Sequence, residues 1–285
     1  MPPEPIDLHH MGVERVIGVY LLETPEGLAL HDCGPASCVP ALKSALADRG
    51  LALTDVRHLL LSHIHLDHAG AAGVLVREHP NLRVHVSEVG APHLIAPERL
   101  ERSARRLYGD AFDTLWGELA PVPAENVEVT GPRVVGFDCF AAPGHASHQV
   151  CYVDEAGVAY AGDAAGVRIL PGRLALPPTP PPDVDVEAWE RTLDELEQRR
   201  PTGLAFTHFG VADDAADHLE RLREHLRAWT ARVGEGVSED DFVDEARREL
   251  EAAEPEHVEA YERAMPLWQT YQGLQRYWNK KRAAA

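Results

Sequence analysis

The chain has 285 residues, and 46 acidic against 27 basic side chains give it a formal net charge of −19. A field of that sign repels phosphate backbones, so we expect a small-molecule substrate and no nucleic-acid partner. Hydrophobic residues make up 45% of the chain, enough for a substantial core. No run of about 18 apolar residues occurs, so no membrane association is expected. The four cysteines form no CxxC pair, and the N-terminal segment lacks a signal-peptide pattern, which together predict a cytoplasmic protein.

The first half of the chain alternates between strand-like and helix-like segments. Short apolar runs predict strands and turns over the first 35 residues, and residues 39–50 predict an amphipathic helix. The apolar segment 56–62 predicts a buried strand, which is followed by a helix and another strand. Residues 97–119 predict a helix, and strands return from about residue 126. This alternation is typical of an α/β layered domain.

The second half begins with strands and ends in helices. The proline-rich segment 176–183 predicts an ordered loop or lid rather than sheet, because proline removes backbone donors. From residue 211 the chain predicts one long helix to about 233 and then two more, and the histidines on these charged helices, such as His218, are expected to be solvated. We therefore expect a main domain over residues 1–210 and a helical extension over residues 211–285 that packs on it. The aromatic residues of the extension could also form a homodimer contact.

A dense histidine motif, SHIHLDHAG, follows the buried strand at residues 62–70. In an extended chain, side chains two positions apart point the same way, so His63 and His65 can reach one ion together. Asp67 and His68, where the chain turns into a helix, can reach a second ion nearby. Neutral imidazole and carboxylate are good ligands for zinc and similar metals, so the motif predicts a metal site.

Three more polar residues follow strand-like segments later in the chain. His145 lies in APGHASH, Asp163 follows VAYAG, and His208 lies in AFTHFG. The carboxyl ends of strands are where α/β sheets place their ligands. A lone histidine in such a position is more often structural, but three such residues beside a dense histidine motif indicate one shared site.

The segment HIHLDH resembles the HxHxDH signature of the metallo-β-lactamase superfamily. The segments PGHASH, GD and THFG follow in the order of that family's remaining ligands, and the resemblance covers roughly residues 6–210. It implies an α/β fold, a four-layer αββα sandwich with added C-terminal helices, in which residues 1–210 form the catalytic domain. It also implies that His63, His65 and His145 bind a first metal, that Asp67, His68 and His208 bind a second, and that Asp163 bridges them.

The resemblance further implies two divalent metal ions per chain, with zinc favoured over iron or manganese. Two such ions hold a bridging hydroxide at neutral pH. Asp67 is implied as the catalytic residue that orients this hydroxide or accepts its proton. Asp32, in LHDCGP, and His148, in GHASH, are implied to support the ligands from outside rather than to bind metal.

The expected reaction is hydrolysis of an ester, a thioester or a lactone in a small metabolite. One alternative is a persulfide dioxygenase, which uses a single iron held by the equivalents of His63, His145 and Asp163. Another is a sensor that binds metals without turnover. Acyl-homoserine lactone lactonases usually carry a tyrosine where this chain has Gly166, which counts against that substrate. The sequence predicts no substrate-binding residues.

Overall fold

Two mixed six-stranded sheets form the centre of the computed structural model, which describes residues 4–284. The strands of the first sheet run in chain order, and neighbouring strands are antiparallel from the first to the third and parallel from the third to the sixth. They are β1 (Ile6–Asp7), β2 (Gly18–Thr24), β3 (Gly27–His31), β4 (Val56–Leu60), β5 (Arg83–Val86) and β6 (Val127–Val129).

The second sheet contains the remaining six strands in reverse chain order from one edge to the other. These strands are β7 (Arg133–Val134), β8 (Phe137–Ala141), β9 (Val150–Val153), β10 (Val158–Tyr160), β11 (Gly203–Phe206) and β12 (Gly210–Ala212). The pair β10–β11 is parallel, and the other neighbours are antiparallel. A helix over Val186–Arg199 separates β10 from β11 in the chain, as a parallel connection requires.

Eleven α-helices surround the sheets within the described residues. They are α1 (Val39–Ala47), α2 (Leu66–Ala69), α3 (Ala72–Glu78), α4 (Ala91–Ile95), α5 (Glu98–Tyr108), α6 (Phe112–Trp116), α7 (Val186–Arg199), α8 (Ala215–Gly234), α9 (Glu239–Ala253), α10 (Val258–Ala264) and α11 (Leu267–Ala284). No helix in this part of the chain combines the length and apolarity needed to cross a membrane.

Two helix predictions need correction. Residues 97–119 form two helices rather than one, because the chain turns at Gly109, whose φ of 54° suits glycine. Four helices rather than three follow β12. Pro255 and Pro266 stand in the breaks on either side of α10, where the missing backbone donor of proline ends the regular hydrogen-bond pattern.

Successive side chains along each strand point to opposite faces of the sheet, and this alternation explains how the sheets and helices form layers. Tyr20 and Leu60 of the first sheet and Tyr152 and Tyr160 of the second belong to one apolar cluster between the sheets. Their chain neighbours, such as Leu59, point the other way and join the larger cluster that includes the helices. Successive strand residues face opposite sides of a sheet, so each sheet packs on its partner with one face and on helices with the other. The predicted αββα sandwich with added C-terminal helices is confirmed.

The expectation that His218 is solvated is wrong. His218 lies on the inward face of α8 with Leu219, Leu222 and Leu226, and its side chain is fully buried. Its Nε2–H donates to the carbonyl oxygen of Ala165 at 2.7 Å. Burial lowers the pKa of His218 to about 4, so the ring is neutral at neutral pH. The charged residues of α8 lie on the other face, which the sequence composition alone did not distinguish.

The proline-rich segment 176–183 is an ordered loop that α11 holds in place. The hydroxyl of Thr179 donates to the carbonyl oxygen of Thr270 at 2.9 Å. The carbonyl oxygen of Thr179 faces Gly273, where an added Cβ would lie only 1.8 Å away. Glycine is therefore required at position 273 for α11 to approach the loop this closely.

Replacing Gly273 by alanine should lower the free energy of unfolding by about 1–3 kcal/mol, because the new methyl group forces the backbone of the loop and the helix apart. Gly131→Ala is the matched control, since an added Cβ at Gly131 meets no atom within 4 Å. Chemical denaturation of both variants measures the difference. A Gly273→Ala variant as stable as the control would contradict the close contact between loop and helix.

Candidate metal centre

The seven predicted ligands meet at one end of the two sheets. Each follows a strand end, so the sheets bring together residues that are far apart in the chain. His63 and His65 follow β4, Asp67 and His68 lie on α2, His145 lies between β8 and β9, Asp163 follows β10, and His208 follows β11.

Three imidazole nitrogens form the first group of ligand atoms. His65 Nδ1 lies 2.9 Å from His63 Nε2 and 2.9 Å from His145 Nε2. All three side chains have lowered pKa values, because burial and the neighbouring histidines disfavour the charged form; the pKa of His65 falls to about 3. The three rings are therefore neutral at neutral pH, as metal binding requires.

Asp67, His68 and His208 form the second group, with ligand atoms within 4.8 Å of one another. His208 Nε2 lies 3.4 Å from Asp67 Oδ2. Although burial opposes the charge, the carboxylates of Asp163 and Asp67 raise the pKa of both His68 and His208. Burial likewise opposes ionisation of Asp67, but His68 and His208 hold its pKa below its usual range.

Asp163 lies between the two groups. Its Oδ2 is 3.3 Å from His145 Nε2, and its Oδ1 is 3.3 Å from His68 Nε2. The same Oδ1 lies 3.6 Å from His208 Nε2. One carboxylate oxygen thus faces each group, which is the position that a ligand shared by two ions would take. The assignment of each side chain to a first or a second ion stays a prediction.

The ligand atoms fit a bound cation. His68 Nε2, His208 Nε2 and Asp163 Oδ1 are buried, and although these atoms lie near one another, no contact of hydrogen-bond geometry satisfies any of them within residues 4–284. Buried polar atoms are normally paired, so unpaired atoms that converge on one point indicate a missing partner of positive charge. Imidazole and carboxylate are suitable ligands for zinc, iron and manganese alike.

In four of these histidines, the ring nitrogen that points away from the candidate metal site also forms a hydrogen bond. Each contact places a proton on the outer nitrogen and leaves the inner nitrogen free to bind metal. The contacts are His63 Nδ1 to Ser62 Oγ at 3.0 Å, His68 Nδ1 to Asp32 Oδ2 at 2.7 Å, His145 Nδ1 to the Pro178 carbonyl oxygen at 2.7 Å and His208 Nδ1 to the Val16 carbonyl oxygen at 2.5 Å.

Asp32 lies behind the ligands and is completely buried. Its carboxylate accepts hydrogen bonds from the backbone N–H of Ser62 at 2.8 Å, from the Ser62 hydroxyl at 2.9 Å and from the Thr207 hydroxyl at 2.9 Å, besides the contact to His68. Burial alone would raise its pKa, but His31, His68 and the Ser62 donors hold the pKa below its usual value. Asp32 therefore stays charged and orients His68.

His148 lies beside the ligands but outside every group of converging ligand atoms in the described chain. Its ring stacks on that of His63, with centroids 5.9 Å apart and planes 11° apart. Its Nδ1 accepts from the backbone N–H of Ile64 at 3.4 Å. Burial lowers the pKa of His148 to about 2, so the ring is neutral. These contacts suit a role in packing the histidine loop.

A cavity of 1310 Å³ opens above the candidate centre. His65, Asp67, His145, Asp163 and His208 form part of its floor, and its walls come from α5, α6, the proline-rich loop and the segments from α9 to α11. Apart from the proline-rich loop, which was expected to be an ordered loop or lid, no motif in the sequence links these wall residues, because they are far apart in the chain. Among them are His10, Tyr108, Trp116, Trp268 and Gln269.

Several wall residues carry polar atoms without partners. His10 donates from Nε2 to the carbonyl oxygen of Leu115 at 2.9 Å and stacks on Trp116 with centroids 5.5 Å apart. His10 Nδ1, Trp116 Nε1 and Gln269 Nε2 are buried and have no hydrogen-bond partner within residues 4–284. The described part of the chain thus leaves three polar atoms of cavity-lining residues without a partner.

Replacing Asp163 by asparagine should remove at least about one metal ion per chain, because the amide is a poor ligand and the carboxylate faces both groups. Metal content per chain, measured by plasma mass spectrometry after dialysis, tests this. Asp138→Asn, at an exposed carboxylate on β8, is the control. An Asp163→Asn variant with the metal content of the control would refute the assignment of Asp163 to both ions.

Metal binding to the two groups should differ in its dependence on pH. The raised pKa values of His68 and His208 mean that protons must leave the second group before metal binds, so its affinity should rise with pH from about 6 to 8. The first group has lowered pKa values and is already unprotonated there, so its affinity should stay flat. Calorimetric titrations of the metal-free protein with zinc at several pH values measure the affinity of each group separately. Equal pH slopes for both would contradict the difference.

Both the sequence and the fold match known proteins. The Metallo-beta-lactamase superfamily model matches residues 14–208. The solved metallo-beta-lactamase family protein TTHA1429 from Thermus thermophilus is 22% identical, with 94% of this chain and 89% of that chain covered and a TM-score of 0.64. The archaeal superfamily protein ST1585 from Sulfolobus tokodaii is 19% identical, with 80% and 84% covered and a TM-score of 0.59.

A third solved structure is that of TTHA1623 in a di-iron-bound form, which is 24% identical, with 72% of this chain and 91% of that chain covered and a TM-score of 0.54. At these identities the solved structures show a common fold. The comparison with curated proteins gives no significant match. The superfamily match extends over more than half of the chain and includes all seven converging residues. The chain therefore belongs to the metallo-beta-lactamase superfamily.

Proposed function

We propose that the protein is a dinuclear metal-dependent hydrolase that cleaves an ester, thioester or lactone bond in a small metabolite. One observation carries this proposal: seven histidine and aspartate side chains converge, with unpaired buried atoms between them, on the floor of a large cavity. Hydrolysis is the chemistry that such a nitrogen and oxygen ligand set serves in zinc enzymes. Membership of the superfamily supports the same class.

Different side chains would bind each of the two metal ions. His63, His65 and His145 would hold one ion, the second group would hold another, and Asp163 would be shared. When bound, the two ions supply Lewis-acid activation of a carbonyl and a nucleophilic hydroxide at neutral pH. Hydrogen bonds that the outer ring N–H groups donate to Ser62, to Asp32 and to two backbone carbonyl oxygens keep the imidazoles in position before substrate arrives.

Asp67 has the position and the charge to move protons. Its side chain is 20% exposed and lines the cavity, whereas that of Asp163 is only 6% exposed. His68 and His208 hold its pKa low, so its carboxylate is ionised at neutral pH, and its role as a proton acceptor rests on its position in the cavity. We therefore assign Asp67 the roles of accepting the proton of the attacking water and returning it to the leaving group.

The cavity walls complete the site. Burial raises the pKa of Tyr108 to about 12, so its hydroxyl stays a hydrogen-bond donor. Leu107, Trp116, Met265 and Trp268 add apolar surface that excludes water from a bound substrate. A carbonyl-bearing, partly apolar metabolite suits this mixture of donors and apolar walls better than a small polar one.

The metal content and a substrate panel together test the proposal. Purified protein should contain about two ions per chain and should hydrolyse at least one class among esters, thioesters and lactones. Asp67→Asn should lower kcat by about a hundredfold or more, as loss of a general base does, while Asp138→Asn should not. Near one equivalent of iron with oxygen uptake on persulfides would instead indicate the dioxygenase. Two bound metals without turnover on the panel would indicate the sensor.

A further inference from the structure

The cavity above the metal centre is larger than cleavage of a single acyl bond requires. Its 1310 Å³ exceeds the roughly 300–1,000 Å³ of most small-molecule sites. Helix α5 forms one wall along most of its length, with Arg99, Ser103, Arg106 and Leu107 facing the cavity. Spacings of four, three and one residues place these side chains on one face of the helix. The wall therefore combines charged and apolar groups.

Tyr108, the last residue of α5, lines the same cavity as Asp67 and Asp163. Its hydroxyl lies 3.5 Å from Gln269 Oε1 on α11. A helix rises about 1.5 Å per residue, so Arg106 lies about 3 Å and Arg99 about 14 Å from Tyr108 along the helix axis. The two arginines therefore line the same cavity about 10 Å apart along the helix axis.

Neither of these arginines forms an ion pair with a described residue that would stabilise the fold. Arg99 and Arg106 are exposed and form no ion pair within residues 4–284, although both line the cavity. Arg105, on the same helix, differs: it pairs with Asp113 at 2.8 Å and packs over the ring of Phe112 at 4.1 Å. The guanidinium groups of Arg99 and Arg106 are thus available to a ligand.

The arginines that α9 and α10 contribute to the cavity wall are paired with glutamates. Arg247 of α9 pairs with Glu262 at 2.6 Å, and Arg263 pairs with Glu259 at 3.7 Å within α10. Glu256, in the connection between these helices, is exposed and forms no ion pair in the described chain. Positive charge that is free of a protein partner therefore lies on the α5 wall.

We propose that Arg99 and Arg106 bind a carboxylate or phosphate of an extended acyl ester or thioester whose scissile bond lies at the metal centre. This rests on the proposed function. A net charge of −19 repels anions from the protein surface, so an anionic substrate requires local cations to enter. The planar fork of arginine suits both carboxylate and phosphate, and the Ser103 hydroxyl between the two arginines adds a donor.

Binding of substrate-like thioethers tests the proposal without hydrolysis. S-hexyl-pantetheine is neutral, its 4′-phosphate carries a phosphate and its 4′-hemisuccinate carries a carboxylate. Calorimetry on the metal-loaded protein should give a dissociation constant about tenfold or more lower for at least one anionic probe than for the neutral one, as a charge-assisted contact does. The preferred probe identifies phosphate or carboxylate as the recognised group. Added salt, at about 0.5 M, should shrink the difference.

The double variant Arg99→Gln/Arg106→Gln should lose this preference and bind the neutral probe as the parent does. Arg102→Gln is the control, because Arg102 is exposed on the same helix and is not part of the cavity lining. Equal affinity for all three probes, no measurable binding of any, or a preference that survives in the double variant would overturn the proposal. Hydrolysis on the substrate panel is measured separately, so either proposal can fail while the other stands.

Discussion

The burial of one charged carboxylate, Asp32, is the constraint on which the metal end of the molecule depends. A charge without solvent must be paired and hydrogen-bonded, because an uncompensated one would cost several kcal/mol. Asp32 follows β3, Ser62 follows β4, and Thr207 follows β11 of the other sheet, so its hydrogen bonds tie both sheets together at the edge where the ligands lie. The residue even adopts a left-handed backbone, with φ of 57°. The hydrogen bonds to Asp32 therefore both join the two sheets and fix the position of His68.

The fold and the converging residues could be predicted from the sequence because short segments of the chain carry the patterns that indicate them. The spacing of His63, His65, Asp67 and His68 is a property of one short segment, and a strand before it and a helix after it could be read from the apolar pattern. His145, Asp163 and His208 each directly follow a strand, which put them at the same sheet edge by a general rule. The order of these segments along the chain matched a known family, and the superfamily match over residues 14–208 agrees.

The rest could not be predicted, because it depends on contacts between distant parts of the chain. His218 looked solvated because α8 is rich in charge, and only the packing of α8 against Phe206 and Ala165 buries it. The cavity wall is assembled from stretches that lie far apart in the chain, and none of them carries a motif for this role. Arg99 and Arg105 look equivalent in the sequence, yet one faces the cavity and the other is paired on the surface. Such distinctions require the three-dimensional positions of the partners.

The proline-rich loop has a consequence for how the superfamily core and the C-terminal helices depend on each other. Pro178 supplies the carbonyl oxygen that orients His145, and its neighbour Thr179 is fixed by Thr270 and by the close approach of Gly273 on α11. The C-terminal helices thus contact His145, a candidate metal ligand, through two intervening residues of this loop. The same helices also line the cavity, so they contact both the loop behind His145 and the space above the candidate centre. The core and the C-terminal helices are therefore coupled at the candidate site rather than independent modules.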